Sequence, residues 1–162
     1  EKFVPPRKGQ SHALRIVREL LSFEPTRPAT SIKTALEYLN HVQKKRSIVF
    51  VLSDFMDSNY EAALRIAGKR HDLIGVVLQD PRENELPGVG LIHLRDAESG
   101  MTRLVDTSDT QVRFLYKQFG ERTREARKSL FVKSRLDDVL IRLDQPYIKP
   151  LADFFKLREK RR

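Results

Sequence analysis

The sequence contains no cysteine and no tryptophan. Without a thiol, disulfides, thiol nucleophiles and cysteine-based zinc sites are excluded. Histidine is scarce, and none of His12, His41, His71 and His93 lies three or four residues from another, the spacing at which one helix face holds a metal. His12 and His41 read as exposed helix positions. The 7 glycines do not cluster. The chain therefore has no phosphate-cradling P-loop, no G-x-G-x-x-G fingerprint and no G-x-S-x-G nucleophile elbow. No apolar run approaches the ~20 residues of a membrane helix, and no secretory signal is present. We expect a cytoplasmic protein with no membrane segment in this chain. The first residue is Glu1 rather than Met, so we expect a piece of something longer.

What is present suits a packed domain. The chain has 162 residues, 40% of them hydrophobic, a normal size and composition for one core. The formal charge is +9. An excess of that size raises nucleic acid or an acidic surface as partners. Much of it falls in the expected basic tail Lys156–Arg162, "KLREKRR", and in "ERTREARKSLFVKSR". Such runs, interleaved with Glu, read as solvated faces. They also lack the aromatic interleaving of a single-strand binder. A nucleic-acid role therefore ranks below a protein-binding role.

Three apolar runs read as strands: Ser47–Ser53 "SIVFVLS", Asp72–Gln79 "DLIGVVLQ" and Asp138–Asp144 "DVLIRLD". The first two are nearly continuous in Ile, Val, Leu and Phe, the pattern of strands buried on both faces of a parallel sheet. Lys2–Pro5 reads as a weaker strand cut short by Pro5-Pro6. Helical spacing appears over His12–Phe23, with Leu14, Val17, Leu20 and Leu21 on one face. It recurs over Ser31–Lys45 and over Ser58–Lys69, where the face is Tyr60, Ala63, Leu64 and Ala67. A long helix from about Asp109 shows Val112, Leu115, Tyr116, Phe119, Ala126 and Leu130, and a last helix covers "PLADFFKLREK". The alternation predicts an α/β fold with right-handed crossovers. An insert interrupts it: Val89–Leu94 and Thr102–Val105, either side of "DAESG", read as a β-hairpin within 89–106. We expect one domain over 1–162.

In an open parallel sheet, ligands gather beyond the carboxyl ends of the strands. Those ends supply Ser53-Asp54, Gln79-Asp80-Pro81 and Asp144. Asp80 and Asp144 sit in turn contexts. Asp54 directly follows five apolar residues and is expected to be partly desolvated, in need of a cation or several donors. Asp57 and Ser58 read as a helix start, because Ser58–Glu61 matches the capping box S-x-x-E. The string "DTSDT", Asp106–Thr110, is similar to a metal-binding Asp-x-Ser-x-Ser loop. Its preceding strand belongs to the hairpin, however, and Ser108 with Gln111 forms a second capping box that accounts for it. No nucleophile, base and oxyanion hole assemble from neighbouring residues.

The blocks "VPPRKGQSHALRIVRELLSFEP", "ATSIKTALEYLN", "SIVFVLSDFMD", "RHDLIGVVLQDPRENELPGVGLIHLRDAESG" and "RLVDTSD" resemble, in order, a bacterial family. It is domain-of-unknown-function family fifty-eight, related to the von Willebrand factor A domain. The resemblance covers almost the whole chain. It implies a Rossmann-like, mostly parallel sheet with helices on both faces plus the hairpin insert. It also implies a protein-interaction role rather than an enzyme, with a MoxR-type AAA+ ATPase as a partner in assembly or maturation. Relatives bind Mg²⁺ at a metal-ion-dependent adhesion site. Of that site the resemblance carries over Thr30, in "PATSIKTAL", and Asp54, in "VLSDF".

The departure lies at the start. The similarity begins at the third strand of the pattern, so the domain is expected to lack its first strands and its Asp-x-Ser-x-Ser loop. Mg²⁺ wants six near-octahedral oxygens. Thr30 and Asp54 alone make an incomplete site, so no metal or other cofactor is expected in this fragment, and Mg²⁺ belongs to a fuller parent. Thr30 has a second reading as the cap of the helix that follows. The missing neighbour leaves Ile48–Leu52 as an open hydrophobic edge, and we expect a homo-oligomer formed through it. A metal-dependent hydrolase using Asp54 ranks last.

Overall fold

The computed structural model describes residues 2–25, 30–96 and 100–161. Helices α1 (Gln10–Ser22) and α2 (Ile32–Val42) precede strand β1 (Ile48–Ser53), then α3 (Glu61–Arg70) and β2 (Asp72–Gln79). A short 3-10 turn, Pro81–Glu83, leads to β3 (Leu91–Arg95) and β4 (Thr102–Asp106). The long helix α4 (Thr110–Ser134), β5 (Asp137–Arg142) and α5 (Ile148–Glu159) complete the chain. The fold is mixed α/β. Its main sheet is parallel, in the order β1-β2-β5, with Ile48 opposite Asp72 and Ile74 opposite Asp137.

The alternation of side chains along β2 builds two cores. Leu73 and Val77 point to one face, where Ile32 and Leu36 of α2, Ala63, Leu64 and Ala67 of α3, and Phe131 of α4 cover them. Val76 points to the other, packed with Val139 and Ile141 of β5 against Leu151 and Phe154 of α5. Helices thus lie on both faces. Close approach at one point requires glycine: the Phe131 ring lies where a side chain on Gly75 would project, 2.5 Å from an added Cβ.

β2 is buried on both faces, as its composition predicts, but β1 is not. β1 is an edge strand, paired on one side only, and Ile48, Phe50 and Leu52 remain 59%, 45% and 64% exposed. Apolar composition reports what a strand can bury and says nothing of what covers it. The same holds for α1. The helix forms where its spacing predicts, yet no residue of it is buried, and Leu14, Val17, Leu20 and Leu21 face solvent. His12 is half-buried there and His41 exposed. No strand forms over Lys2–Pro5; Pro5 and Pro6 supply no N–H to a ladder. Phe3 instead packs edge-on against Tyr38 of α2, centroids 5.9 Å apart.

The hairpin is a separate two-stranded antiparallel sheet, with Leu91 opposite Asp106. Part of its turn, Ala97–Ser99, lies outside the described residues. In α4, the inward stripe runs through Val112, Tyr116, Gly120, Arg127 and Phe131, while Leu115, Phe119 and Ala126 face outward. The expected basic tail is half structure: Lys156–Glu159 close α5, and Arg158 is only 18% exposed. Its guanidinium bonds Asp72 at the start of β2 and, at 2.8 Å, Asp137 at the start of β5. Arg162 lies outside the described residues.

Candidate functional site

The carboxyl ends of β1 and β2 open onto a corner formed by the loop Asp54–Tyr60 and the amino end of α2. Asp54 is exposed there, against the expectation of a desolvated carboxylate. Its Oδ1 accepts from the Ser53 hydroxyl at 3.3 Å and from the Met56 N–H at 3.0 Å, closing a tight side-chain-to-backbone turn. The Phe55 N–H donates to Ser53 Oγ at 3.0 Å. Phe55 itself takes a left-handed φ of 58°, a costly conformation for a bulky residue. The ring it delivers offsets that cost. It is buried between Tyr60 and Phe131, with centroids 5.9 and 5.3 Å away.

Asp57 does start a helix, but not the adjacent one. Its Oδ2 accepts the Ile32 N–H at 2.8 Å, so it caps α2 from 25 residues away, and its Oδ1 takes the Ser58 N–H at 2.6 Å. The N-cap of α2 is Ser31, not Thr30: Ser31 Oγ accepts the Thr34 N–H at 3.2 Å. Between them, Asp57 and Ser31 satisfy two of the amides a helix start leaves unpaired, and the carboxylate also suits the positive end of the helix dipole. α3 begins three residues beyond Ser58, with Tyr60 in the N-cap position and no side-chain cap. The Ser58–Glu61 box therefore does not form.

"DTSDT" is likewise absorbed by backbone bonds. Asp106 Oδ1 accepts the Ser108 N–H at 2.9 Å, and Asp109, rather than Ser108, caps α4 by accepting the Gln111 N–H at 2.7 Å. Thr107 is fully buried, its hydroxyl donating to Gly90 O at 2.7 Å and accepting the Val89 N–H at 3.0 Å. Asp80 caps the 3-10 turn through the Arg82 N–H at 2.9 Å, and Asp144 holds Arg142 with two bonds of 2.8 and 3.0 Å.

Thr30 and Ser53 meet on one groove of about 390 Å³, which runs between α2 and the open side of β1. Apart from Ser31 its other walls are apolar: Ile32, Leu36 and Leu39 face Val49, Val51 and Leu52. Thr30 thus shares the groove with Ser53, the residue before Asp54. The donor set does not fit Mg²⁺. One hydroxyl and a carboxylate already held by two donors leave most of six positions without a protein oxygen. Among the described residues, no group of three or more His, Asp or Glu could hold a metal ion.

Two features escaped the sequence reading. Arg127 of α4 reaches the corner, donating to the Asp54 carbonyl at 3.3 Å, and burial lowers its pKa. Glu83 is half-buried, and burial raises its carboxyl above the ordinary range, with the nearby charge of Asp54 adding to the rise and a backbone bond with Asp80 opposing it. The phase of α4 could have exposed the first, since Arg127 lies in line with Tyr116, Gly120 and Phe131. Nothing local marks Glu83.

An α/β domain with a three-stranded parallel sheet, edge strands β1 and β5, and a carboxylate-rich carboxyl end is the class these features define. The family model described as "Protein of unknown function DUF58" matches residues 1–126, and the chain belongs to that family. It is 29% identical over 163 residues to an uncharacterized protein of Mycobacterium avium, covering 97% of this chain and 94% of that one. Uncharacterized proteins of Mycobacterium tuberculosis and Mycobacterium bovis are each 34% identical over 104 residues, 62% of this chain. The match covers 32% of the length of those two relatives. No solved structure matches. Among the described residues, no helix is long and apolar enough to cross a membrane.

Proposed function

We propose that this chain is a protein-interaction module of von Willebrand factor A type, not an enzyme, and that β1 is its docking edge. One observation carries the reading: among the described residues β1 has no partner strand on its outer side, and the groove beside it is mostly apolar. Unpaired backbone groups next to apolar walls are what an incoming strand needs. Its ladder bonds supply affinity, and the pockets for alternate side chains supply specificity. The occupant we assign is a second copy of this chain, which makes the module a homo-oligomer. A MoxR-type AAA+ ATPase as a further partner, and a cytoplasmic setting, rest on the family resemblance alone. A hydrolase reading of Asp54 ranks lower, since its Oδ1 closes a turn.

Light scattering coupled to size exclusion tests the assignment. The chain should elute as a dimer at micromolar concentration. The variant Leu52→Lys, which places a like charge on each copy's edge, should elute as a monomer with unchanged far-UV circular dichroism; Phe50 stays in place because its ring packs on Phe155 of α5, centroids 6.2 Å apart. A parent chain that stays monomeric throughout sinks the assignment.

A further inference from the structure

The parallel topology places the amino ends of β1, β2 and β5 at one pole of the molecule, and basic side chains collect there. The connection into β1 carries Lys44, Lys45 and Arg46, all exposed. α3 delivers Lys69 and Arg70 to the start of β2, and α4 delivers Lys133 and Arg135 to the start of β5. α5 runs back to the same pole, where Arg158 bonds Asp72 and Asp137, and it adds Lys160 and Arg161 just beyond. Of the acids at this pole, Asp72 and Asp137 answer Arg158, and Asp137 also lies 3.6 Å from Arg161, which leaves Asp138 and Glu159 against the exposed cations. The opposite pole holds Asp54, Asp57, Asp80 and Glu83. Arg82 and Arg142 stand on that side too, Arg142 bonded to Asp144, whereas at the first pole the exposed cations outnumber the acids.

Helix dipoles favour a cation in each last turn. They do not account for Lys44-Lys45-Arg46, which follows the end of α2, or for Lys160 and Arg161 beyond α5. Two further observations select the partner. The cations come from the helices on one face, from the connection into the sheet and from α5 on the other face, so they spread in two dimensions rather than along a track. Aliphatic side chains stand among them: Ile48 opens β1, and Val132 and Leu157 lie in the last turns of α4 and α5, all more than half exposed. A nucleic-acid strand wants a linear phosphate track and aromatic platforms. A flat anionic surface with an apolar layer beneath its headgroups suits cations interspersed with aliphatics.

We infer that this pole docks on an anionic phospholipid bilayer, with the strand axis roughly upright on the membrane. The test is co-sedimentation of the 162-residue chain with vesicles of mixed phosphatidylglycerol and phosphatidylcholine, against phosphatidylcholine alone. The chain should bind the first and not the second, and high salt should release it. Lys44→Gln/Lys45→Gln/Arg46→Gln should weaken the partition by about a hundredfold, as the loss of three surface cations implies. The control Lys33→Gln/Arg82→Gln/Arg122→Gln, the same charge change away from the pole, should stay within about twofold. Both triples should melt where the parent does. Equal losses in the two triples would mean that net charge, not the pole, drives binding, and would overturn the inference. So would absence of binding to the anionic vesicles, or a pole triple that loses binding only to a single-stranded oligonucleotide.

Discussion

At the scale of the residue, two positions show how little room the core leaves. Gly75 sits in the middle of β2 under the ring of Phe131, itself fully buried. Gly75→Ala would set a Cβ 2.5 Å from two ring carbons. Either the ring or α4 must move, and overpacking of this kind costs about 1–3 kcal/mol. Urea unfolding should show that loss. Adding Phe131→Leu should cost less in the Gly75→Ala background than in the parent, because the two sites share one space. Glu83 behaves differently. Burial raises its pKa in the folded state, so the native protein holds the proton more tightly than the unfolded chain does. Stability then falls as pH rises from the ordinary carboxylate range through the raised value. Glu83→Gln keeps an acceptor and removes the charge. It should raise the melting temperature at neutral pH, and the gain should vanish once the medium is acidic enough to protonate the carboxyl in both states.

At the scale of the element, α2 depends on a residue distant in sequence. Asp57 supplies the bond to the Ile32 amide and a negative charge at the helix start. Asp57→Ala should cost about 0.5–2 kcal/mol, with hydrogen exchange of the first-turn amides of α2 speeding up most. Asp57→Asn keeps the acceptor, so its smaller loss isolates the charge, about 0.3–1 kcal/mol. This case also marks how far the sequence can be read. Elements whose periodicity and burial agree were legible: β2 matches its apolar run end to end, and the Tyr60, Ala63, Leu64 and Ala67 face of α3 is buried as its spacing predicts. The start of α3 was not, because the S-x-x-E pattern holds only local information and the helix begins at Glu61 without a side-chain cap; nor was the role of Asp57, whose partner lies 25 residues away. The α4 stripe was misphased for a related reason. Leu115 and Phe119 are apolar but outward, whereas Gly120 and Arg127 are inward for contacts a hydrophobicity pattern does not weigh. Gly120 lets the helix approach the Glu83 carbonyl, 3.2 Å from where its Cβ would stand. Of the candidate site, the meeting of Thr30 with the β1 terminus was legible through resemblance, while the fate of the Asp54 oxygens needed the turn geometry.

At the scale of the whole molecule, α5 holds the second face of the sheet in place, and Arg158 is the bolt at its end. The helix covers Val76, Val139 and Ile141 with Leu151 and Phe154, a small core that buries little apolar area alone. Arg158 ties the far end of α5 to two neighbouring strands at once, through Asp72 and Asp137. All three groups are mostly withdrawn from water, with side chains 18%, 20% and 32% exposed. Removing the cation alone would leave two carboxylates side by side without their shared partner. Arg158→Leu should therefore cost about 3 kcal/mol, in the range for a buried pair broken on one side. The cost should come mainly from the stranded charges rather than from the lost contact. Asp72→Asn/Asp137→Asn should consequently be much less harmful in the Arg158→Leu background than in the parent, where it strands a guanidinium instead. Urea denaturation of the parent, the single variant, the double variant and the triple variant closes that cycle. If the triple variant is no more stable than Arg158→Leu, stranded charge is not the cause, and the cost lies in the contacts that Arg158 itself makes at the end of α5.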